Sequence, residues 1–503
     1  MTQHTLDMRP GTEALTNPVD PWMQRLSRFG ATLFFLALIA FNFVDVDLWH
    51  QMALVRESLA VGHLLRTDLF AYTPTIQPWV DHEWGAGVVA FFATKWFGGR
   101  AIVVLKFSLA LATGLLCARA SEKNGAEVRF VMLCAPLAIF LSQLGFLAAV
   151  RAQVYSFFLV ALLLWCLQVD RRGGRRWIFP WLLLFPLWVN LHAGFVVGMG
   201  VLALHLVEEI YGGGEVKRLF FVMAVMAGEM FLTPYGTDYV RYLQRALWMA
   251  RPFAPEWRPV WDLGPWWVFC FAAAIGIGAY AVAATGIRKT PGLLVLAATT
   301  IEAMMHRKLL PFFALAWLCY VPSALQQTRA GVWLSRFMIR RRPFVVAAWS
   351  VLASASLVAA IRQKPWDVFV PQPIYPVGPV EYLAEQKFSG NLMVPFRLGA
   401  YVTWKLFPDV KVALDGRYEE TYPNEVVERI FRFYEARPAW QTALTTYATD
   451  AVLIPRDAPI SEQMAETNWQ RTYRDRDFDI YVRPGLGLPS QDWTGKSFRG
   501  TFP

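Results

Sequence analysis

The sequence predicts a polytopic α-helical membrane protein that carries an α/β domain outside the membrane at its carboxyl end. Of its 503 residues, 55% are hydrophobic, 15% are aromatic and only 17% are charged. The apolar residues fall into separated blocks of about 16–24 residues, close to the roughly 20 that a helix needs to cross a hydrocarbon core about 30 Å thick. After Arg362 these blocks give way to short strand-like and helical runs.

The first predicted span runs from about residue 30 to 44 and follows a segment, 1–28, that we expect in the cytoplasm. Two arginines precede this block, whereas Asp45 and Asp47 follow it. Because basic residues favour the cytoplasmic side, the amino end is expected inside and the chain from Asp45 onward outside. The amino-terminal residues lack the basic start, short apolar run and small-residue cleavage site of a removable signal.

The external loop, 45–100, contains two helical runs, DLWHQMALVRESLAVGH and HEWGAGVVAFFATKWFGG. Both are short or interrupted by charge, so we expect two juxtamembrane helices lying along the membrane surface. Ionisable groups at the edge of a bilayer indicate a functional site, and the loop therefore predicts an active site on the outer face of a membrane enzyme. The ionisable residues that begin and end the loop are Asp45, Asp47, His50, Asp81, His82 and Glu83.

Ten further apolar blocks bring the predicted number of transmembrane helices to about eleven, within a membrane domain at 29–362. The loops that this arrangement places inside are all basic, namely RASEKNGAEVR, DRRGGRRW, GGGEVKR, IRKTP and TRAGVWLSRFMIRRRP. Counting the HEW run as a twelfth span would move these loops to the wrong side. The ten blocks lie near 101–118, 130–149, 153–169, 178–191, 195–211, 218–233, 264–286, 291–305, 309–325 and 344–361.

A second set of polar residues gathers at the outward ends of these blocks. Each one alone could anchor or cap a helix end. Five such clusters on the face that carries the acidic loop predict a shared cavity. The residues are Arg151, Gln153, Asn190, His192, Tyr235, Glu256, His306, Arg307 and Lys308.

The segment 363–485 predicts a compact α/β domain on the external side, because strand-like runs alternate with helical ones. The strand-like runs are NLMVPF, VKVALD, DAVLI and FDIYVR, and the helical ones are VEYLAEQ, GAYVTWKLF, NEVVERIFRFYEA and SEQMAETN. The Gly- and Pro-rich segment 486–503 is expected to be a loose tail.

Charge and cysteine usage exclude other classes. The net charge is +10, but residues 365–503 hold 15 Lys and Arg against 18 Asp and Glu, so the preceding part carries +13. The positive charge thus belongs to the membrane loops, and no nucleic-acid partner is expected. All five cysteines lie in apolar blocks without close pairing, which favours packing roles over disulfides or a zinc site.

An inside amino terminus, acidic residues directly after the first span, two surface helices, many spans and an external carboxyl domain together resemble the GT-C class of membrane glycosyltransferases. This class includes the protein mannosyltransferases, the aminoarabinose transferases of lipid A and the oligosaccharyltransferases. The runs DVDLWH, PWVDHEW, WVNLHAGF, TPYG and LDGRYEETYP are similar to a widespread group of bacterial members. The resemblance covers nearly the whole chain but is weakly specific for substrate.

The resemblance implies transfer of a sugar from a polyprenyl-phosphate donor to a lipid, glycan or protein acceptor at the outer face of the bacterial cytoplasmic membrane. The donor's lipid tail would lie in a groove among the apolar helices, and membrane lipids are expected as partners. Asp45 or Asp47 is implied as the base that takes the proton of the acceptor hydroxyl. Cations are implied for the phosphate, since an arginine fork binds two phosphate oxygens. The implied phosphate ligands are Arg151, Arg307 and Lys308, with His306 as an auxiliary donor.

Other residues are implied to bind the sugar or the acceptor. They are His50, Asp81, His82, Glu83, Gln153, Asn190, His192, Tyr235 and Glu256. In the carboxyl domain, Asp415-Gly416-Arg417 predicts a strand-to-turn junction in which Gly416 takes an unusual backbone angle and Asp415 pairs with Arg417. The alternative is that the domain roofs the cavity and Arg417 contacts the acceptor or a pyrophosphate.

No cofactor is required by the resemblance, because mannosyl- and aminoarabinosyltransferases of this class work without a metal. Asp45-Val46-Asp47 nevertheless has a D-x-D spacing that Mg²⁺ or Mn²⁺ accepts. The alternative metal set is therefore Asp45, Asp47 and Glu83.

Two other functions remain as alternatives. A transporter or flippase for a lipid-linked glycan predicts polar residues throughout the depth of the bundle, whereas few charged residues, chiefly Lys106, Glu229 and Glu302, lie within the blocks. A non-catalytic subunit of an envelope-polysaccharide assembly system would keep the fold without the chemistry. The joint presence of the loop carboxylates, His82 and Arg307 argues against that second alternative.

Overall fold

The first helix differs from the predicted first span. The computed structural model describes residues 21–503 apart from 250, 252, 253 and 373, so most of the predicted segment 1–28 lies outside the described residues. Helix α1 (Pro21–Leu38) begins and ends earlier than the predicted span at 30–44. Residues 39–44 leave the helix, and Phe43 forms a parallel bridge with Phe369. The predicted bounds were wrong because this apolar stretch pairs with the carboxyl-terminal region instead of continuing the helix.

The two helical runs of the loop 45–100 and all ten later apolar blocks are helical, as predicted. Helices α7 and α8 have the same bounds as the blocks that predicted them. The elements are α2 (Val46–Val61), α3 (Trp84–Phe97), α4 (Arg100–Lys123), α5 (Val128–Ser142), α6 (Gln153–Arg171), α7 (Ile178–Leu191), α8 (Phe195–Tyr211), α9 (Lys217–Glu229), α10 (Thr237–Trp248), α11 (Pro265–Thr285), α12 (Leu293–Met305), α13 (Leu310–Leu325), α14 (Arg329–Arg340) and α15 (Arg342–Arg362).

Six of the described helices are long and apolar enough to cross a membrane. They are α4, α5 with the 3-10 turn that follows it, α6, α11, α13 with the 3-10 turn that precedes it, and α15. Helices α7 and α12 are apolar but shorter. The structure therefore contains a set of membrane-spanning helices, and the count of about eleven stays a prediction.

Two amphipathic helices occur where the sequence analysis placed loops. Helix α14 lies in the basic segment between α13 and α15, and its first turn is capped by Thr328, whose hydroxyl accepts the N–H of Gly331 at 2.9 Å. Helix α10 follows the TPYG run. Both are 12 residues long, too short and too charged to be recognised as apolar blocks.

The carboxyl-terminal region contains a sheet with helices around it, as the alternating pattern predicted. Its helices are α16 (Val377–Glu385), α17 (Phe396–Leu406), α18 (Tyr418–Thr421), α19 (Asn424–Tyr434), α20 (Thr442–Thr446) and α21 (Ile460–Ala465). Its strands are β1 (Val370–Pro371), β2 (Gly390–Met393), β3 (Val410–Val412), β4 (Ala451–Pro455), β5 (Gln470–Arg474), β6 (Phe478–Val482), β7 (Gln491–Asp492) and β8 (Arg499–Gly500).

Six strands form a mixed sheet in the order β3-β2-β4-β6-β5-β7. Strands β3, β2 and β4 are parallel, with Leu392 opposite both Val412 and Ala451. Strand β6 is antiparallel to β4 and β5, and all five of its residues are buried. The connection after β3, at one edge of the sheet, leads to Asp415 and Arg417.

Helix α2 packs on this region and so joins the loop 45–100 to the sheet. The fully buried Trp49 of α2 contacts the rings of Tyr375 and Tyr401 edge-on, with centroids 5.8 and 5.1 Å away. A second bridge, between Ala71 and Val412, adds part of the loop to the edge of the sheet. The start of α2 is therefore fixed from the carboxyl-terminal side as well as from the membrane helices.

The segment 486–503, expected to be a loose tail, is packed instead. Strand β7 pairs with β5, and β8 pairs with β1 so that Gly500 lies opposite Val370. The ring of Phe502 lies 5.2 Å from that of Trp49. The expectation was wrong because glycine and proline content conceals two short strands and the aromatic residues that anchor them.

Candidate active site

The two acidic residues of the DVD run lie at the start of α2. Asp45 is its N-cap, with an extended backbone, and its Oδ1 accepts the N–H of Asp47 at 3.0 Å. An aspartate satisfies one of the free N–H groups at a helix start in this way. Asp45 is 6% exposed, whereas the side chain of Asp47 is 26% exposed. The N-cap carboxylate is therefore buried, whereas the carboxylate two residues later is partly exposed.

Arg151, which precedes α6, joins both carboxylates. Its Nε lies 3.2 Å from Asp45 Oδ2, and its Nη2 lies 2.9 Å from Asp47 Oδ2 and 3.6 Å from Glu256 Oε1. Burial raises the pKa of Asp45 to about 7, although Arg151 acts in the opposite direction. Burial also lowers the pKa of Arg151, but the three carboxylates outweigh it and hold that pKa well above its usual value.

The segments around residues 256 and 307 bring further cations to this group. Lys308 Nζ lies 3.0 Å from Glu256 Oε1 and 5.0 Å from the centre of the Trp257 ring. Lys308 holds the pKa of the Glu256 carboxyl at about 2, against the effect of burial. The ring Nδ1 of His306 is 2.9 Å from the Trp257 carbonyl oxygen, which ties the two segments together.

Arg307 is the cation left with its side chain unengaged. Its backbone N–H donates to the Arg258 carbonyl at 2.9 Å. Its half-buried guanidinium forms no hydrogen bond or ion pair within the part of the chain that the structure describes. It is nevertheless close enough to contribute to the lowered pKa of Glu256. An arginine held by its backbone with a free fork is well suited to an anionic ligand.

A second group surrounds Glu83, just before α3. Its Oε1 lies 3.4 Å from His82 Nε2 and 3.5 Å from His192 Nε2, and its Oε2 accepts from Gln51 Nε2 at 2.5 Å. Burial raises the Glu83 pKa, but these neighbours and Lys308 together hold it well below its usual range. Through Lys308, this group is continuous with the one around Arg151.

His192 is a neutral donor in this group. Its Nδ1 accepts the N–H of Gly194 at 2.9 Å and lies 2.8 Å from the Ser156 hydroxyl, so the proton is on Nε2, which faces Glu83. Burial lowers the pKa of His192 to about 3. His192 therefore positions the Glu83 carboxylate.

His82 connects the loop to the carboxyl-terminal region. Its Nδ1 lies 3.1 Å from Glu420 Oε2, and its ring stacks on Tyr242 with centroids 5.1 Å apart. Burial lowers the His82 pKa, but Glu420 and Glu83 outweigh it and raise that pKa well above its usual value. A protonated imidazole therefore lies between two carboxylates and links the loop to the carboxyl-terminal region.

The other predicted residues lie around these two groups but differ in how freely they could bind a ligand. Asp81 accepts the Glu83 N–H at 3.1 Å, and burial raises its pKa to about 6. Gln153 opens α6 and is 9% exposed. Asn190 is occupied by Trp84 and by the carbonyls of residues 186 and 232, and the hydroxyl of Tyr235 donates to residue 65. The last two serve as structural ties.

Arg417 lies in a structural position. It is buried, donates to Asp415 through Nε and Nη2, and its Nη1 lies 2.5 Å from Asp68. Its guanidinium packs on the rings of Phe70 and Trp79. The predicted pairing with Asp415 is present, whereas the unusual backbone angle of Gly416 was wrong, since its φ is not positive. Asp415 and Asp68 leave the Arg417 fork little freedom for a ligand.

A buried lysine that the sequence analysis assigned to no site holds the loops of the Arg151 group together. Lys106 Nζ, on α4, donates to Asn42 Oδ1 at 2.9 Å and to the carbonyls of Phe41 and Leu147 at 3.3 and 3.4 Å. It therefore links the chain before Asp45 to the chain before Arg151. The only sequence signal for this role was a single charged residue inside an apolar block.

Sequence reasoning missed Gln51, Ser156, Tyr242 and Glu420. The first three are neutral residues, and nothing in one sequence separates a neutral site residue from a packing residue. Glu420 lies inside the LDGRYEETYP run and could have been included on that ground.

The alternative metal set is not assembled as one group. Within the described part of the chain, no three His, Cys, Asp or Glu side chains converge as a metal site would require. Asp45 and Asp47 face Arg151, while Glu83 is taken by His82, His192 and Gln51. We therefore derive no step through a metal, and the choice between a metal-independent reaction and Mg²⁺ or Mn²⁺ stays a prediction.

The helical bundle followed by a carboxyl-terminal sheet has the GT-C fold. Two solved structures support this assignment. The archaeal oligosaccharyltransferase AglB from Archaeoglobus fulgidus, in complex with an inhibitory peptide and a dolichol-phosphate, matches with a TM-score of 0.56 and 12% identity over 86% of this chain and 69% of that chain.

ArnT from Cupriavidus metallidurans, bound to undecaprenyl phosphate, matches with a TM-score of 0.50 and 13% identity over 93% of this chain and 99% of that chain. No protein-family model matches the sequence, and no curated protein matches it. The expectation of a GT-C fold is therefore confirmed as a statement about the fold.

Proposed function

We propose that this protein transfers a sugar from a polyprenyl-phosphate donor to a hydroxyl-bearing acceptor, which is a lipid, a glycan or a protein. The bond between the sugar's anomeric carbon and the phosphate oxygen breaks, and a bond to the acceptor oxygen forms. The acceptor proton passes to a carboxylate, and the lipid phosphate leaves with its charge. The fold of two lipid-phosphate-bound structures supports this class of reaction.

The observation that carries the proposal is the convergence of Asp47 and Arg151 beside Glu256 and Lys308. These residues come from four separate segments of the chain. Arg151 lies 2.9 Å from Asp47 and 3.6 Å from Glu256, and Lys308 lies 3.0 Å from Glu256. Such a site offers a base for the acceptor and cations for the departing phosphate. A purely structural ion network needs neither the partly exposed carboxylate of Asp47 nor the free guanidinium of Arg307.

We assign the base to Asp47 and a positioning role to Asp45. Asp47 Oδ2 is held by Arg151, while its Oδ1 accepts no hydrogen bond from the described residues, so one oxygen is free for the acceptor proton. Asp45 is buried and holds the N–H of Asp47. In this assignment, Arg151, Arg307 and Lys308 stabilise the phosphate, and the Glu83 group positions the sugar.

The proposed setting is the bacterial cytoplasmic membrane, with about eleven spans, a cytoplasmic amino terminus and the site on the outer face. The domains are the segment 1–28, the membrane part 29–362, the external α/β domain 363–485 and the segment 486–503. The lipid tail of the donor would lie among the apolar helices, since α11 and α15 are apolar and leave most of their residues unburied.

Lipid analysis of a deletion strain tests this function. The strain should accumulate a polyprenyl-phosphate-linked sugar, detected by mass spectrometry, and the wild-type gene should clear it. Asp47→Asn should fail to clear it. Asp262→Asn, which changes an exposed aspartate of another segment, is the matched control and should clear it. No accumulation, or full clearance by Asp47→Asn, would overturn the proposal.

A further inference from the structure

Gly416 lies against two polar atoms of α2, Asp47 Oδ1 and His50 Nδ1, neither of which is hydrogen-bonded to another described residue. A methyl group built on its Cα would lie 3.4 Å from Asp47 Oδ1 and 3.5 Å from His50 Nδ1. Gly416 belongs to the connection between β3 and α18, so the carboxyl-terminal region forms one wall beside Asp47. Its φ is not positive, and the next nearest atom to the methyl is 3.8 Å away. Neither the backbone nor the packing therefore requires glycine here.

His50 supplies the second unpaired group. Its side chain is 8% exposed, and its Nδ1 is buried without a hydrogen bond in the described structure. It lies one turn after Asp47 on the same helix, so both side chains face the same side. A buried polar atom without a partner is costly in a folded protein, and its retention points to a ligand.

We propose that Gly416 determines acceptor access, and that the acceptor hydroxyl binds between Asp47 Oδ1 and His50 Nδ1. This inference rests on the proposed transfer reaction. The hydroxyl donates its hydrogen to Asp47 Oδ1 and accepts one from the N–H of His50. As the hydroxyl oxygen bonds to the sugar, its proton moves to Asp47. A side chain at 416 would stand between the acceptor and both groups, so the absence of one is the functional feature.

Enlarging residue 416 tests the inference. Gly416→Ala and Gly416→Val should lower turnover by about 100-fold, as displacement of a substrate by an ångström can do. Binding of undecaprenyl phosphate to the purified protein should change less than about threefold, because Arg151 contacts Asp47 Oδ2 whereas position 416 faces Oδ1. Gly495→Ala is the matched control, since a methyl there meets no atom within 4 Å, and it should keep wild-type turnover.

A labelling measurement decides the matter even where a variant is poorly active. Gly416→Cys should react with a maleimide added to the full-length protein, and saturating undecaprenyl phosphate should slow that reaction about tenfold or more by occupying the neighbouring phosphate site. Labelling is read by mass spectrometry of the peptide that contains position 416. Gly495→Cys should be labelled without protection.

The outcomes separate this inference from the proposed function. Wild-type turnover in both Gly416→Ala and Gly416→Val would overturn the role of Gly416 alone. Lack of labelling at Gly416→Cys, in a protein whose unfolding temperature is unchanged, would also overturn it. A wild-type gene that clears no lipid-linked sugar would instead overturn the proposed function, and labelling would still decide whether position 416 opens into the site.

Discussion

Arg151 donates from its Nη2 to Asp47 Oδ2 at 2.9 Å, although 104 positions of sequence separate the two residues. The same guanidinium reaches the buried Asp45 through Nε. One oxygen of Asp47 is therefore fixed by a cation, while the other accepts no hydrogen bond from any residue that the structure describes. This arrangement gives the two carboxylates of the DVD run different environments, which the sequence alone does not distinguish.

Replacing Asp47 by Asn should abolish most of the transfer. A positioned general base contributes roughly 10²–10⁴-fold, and the amide cannot take the acceptor proton. The amide oxygen can still accept from Arg151, so binding of undecaprenyl phosphate should stay near the wild-type value. Turnover is measured by clearance of the accumulated donor in membranes. Normal turnover in Asp47→Asn, in Asp45→Asn and in the double variant would rule out both carboxylates as the base.

Asp45→Asn should separate activity from stability. Because burial raises the Asp45 pKa to about 7, against 3.8 for a free aspartate, the folded state favours the protonated form. Its contribution to stability is full below about pH 3.8 and is lost as the pH rises to about 7. At pH 8, Asp45→Asn should therefore unfold at a higher temperature than the wild type.

The activity of Asp45→Asn should be lower than that of the wild type at pH 8, although its stability is higher. Ionised Asp45 pairs with Arg151, so wild-type turnover should rise with pH through about 7. Asp45→Asn should be less active at pH 8 and should lose that rise. Thermal unfolding and turnover between pH 5.5 and pH 8.5 provide the measurement. A variant that is less stable at pH 8 and keeps the rise would contradict this account.

Arg307→Ala should weaken the binding of a polyprenyl-phosphate analogue. Loss of one charge-assisted contact costs about 1–3 kcal/mol, or roughly 5- to 150-fold in Kd. Arg329→Ala is the matched control, since this exposed arginine lies beyond the opposite end of α13 and should leave Kd unchanged. An unchanged affinity in Arg307→Ala would remove Arg307 from the phosphate site.

Hydropathy predicted most helices of this chain because a long apolar run has few alternatives to a helix. The bounds of α7 and α8 were predicted to the residue, whereas α10 and α14 were missed. These two helices are amphipathic. Their charged residues keep them from being recognised as apolar spans, so they were assigned to loops. The first helix was displaced because residues 39–44 pair with the carboxyl-terminal region, a long-range contact that local pattern does not reveal.

The site was predictable where charge is unusual. Carboxylates and cations at the edges of apolar blocks are exceptional, so Asp47, Arg151 and Lys308 could be selected from the sequence. Gln51 and Ser156 could not, because neutral polar residues are common in helices and gain meaning only from partners such as Glu83 and His192. The structural position of Arg417 likewise depends on Asp68, which lies far away in the sequence.

Lys106→Met should lower both stability and turnover, because Lys106 holds together the loops that carry Asp45 and Arg151. The substitution removes the ammonium that donates to Asn42 Oδ1 and to the carbonyls of Phe41 and Leu147. These three oxygens then lose that donor inside the bundle. Each buried group left unpaired costs about 1–3 kcal/mol, so the unfolding temperature should fall. Turnover should fall further than the affinity for undecaprenyl phosphate, because the loops that carry Asp45 and Arg151 lose their common anchor.

The controls separate this role from general loss of fold. Lys106→Arg should recover part of the turnover, since its guanidinium can still donate to the same groups. Lys95→Met, at an exposed lysine of α3, should behave as the wild type. Equal losses in the Met and Arg variants, without a change in turnover per folded molecule, would show that Lys106 acts through stability alone.

Removal of the final residues should destabilise the carboxyl-terminal region. A chain that ends at Gly500 loses Phe502, which packs edge-on against the buried Trp49. A chain that ends at Ser490 also loses β7 and β8 and the packing of Trp493 on Tyr473. We expect losses of about 1–3 and 3–5 kcal/mol, respectively, measured by chemical unfolding. Equal stability of the full chain and the two shortened chains would show that this segment is a loose tail.

The ion pair between His82 and Glu420 should make stability depend on pH. Burial alone would lower the His82 pKa, but Glu420 and Glu83 raise it well above the usual 6.5, so the folded protein holds this imidazole protonated. The resulting stabilisation is full below about pH 6.5 and is lost as the pH rises through the raised pKa. The wild-type unfolding temperature should therefore decline at alkaline pH through this group.

His82→Gln and Glu420→Gln should each lower stability at pH 6 by about 1–3 kcal/mol, because a charge-assisted contact is lost. His82→Gln should also lack the alkaline decline, since it removes the titrating imidazole. Glu420→Gln should shift the decline to lower pH because only Glu83 then supports the charge. A wild-type profile that is flat from pH 6 to pH 9, or a decline that persists in His82→Gln, would show that other groups control the junction between the loop and the carboxyl-terminal region.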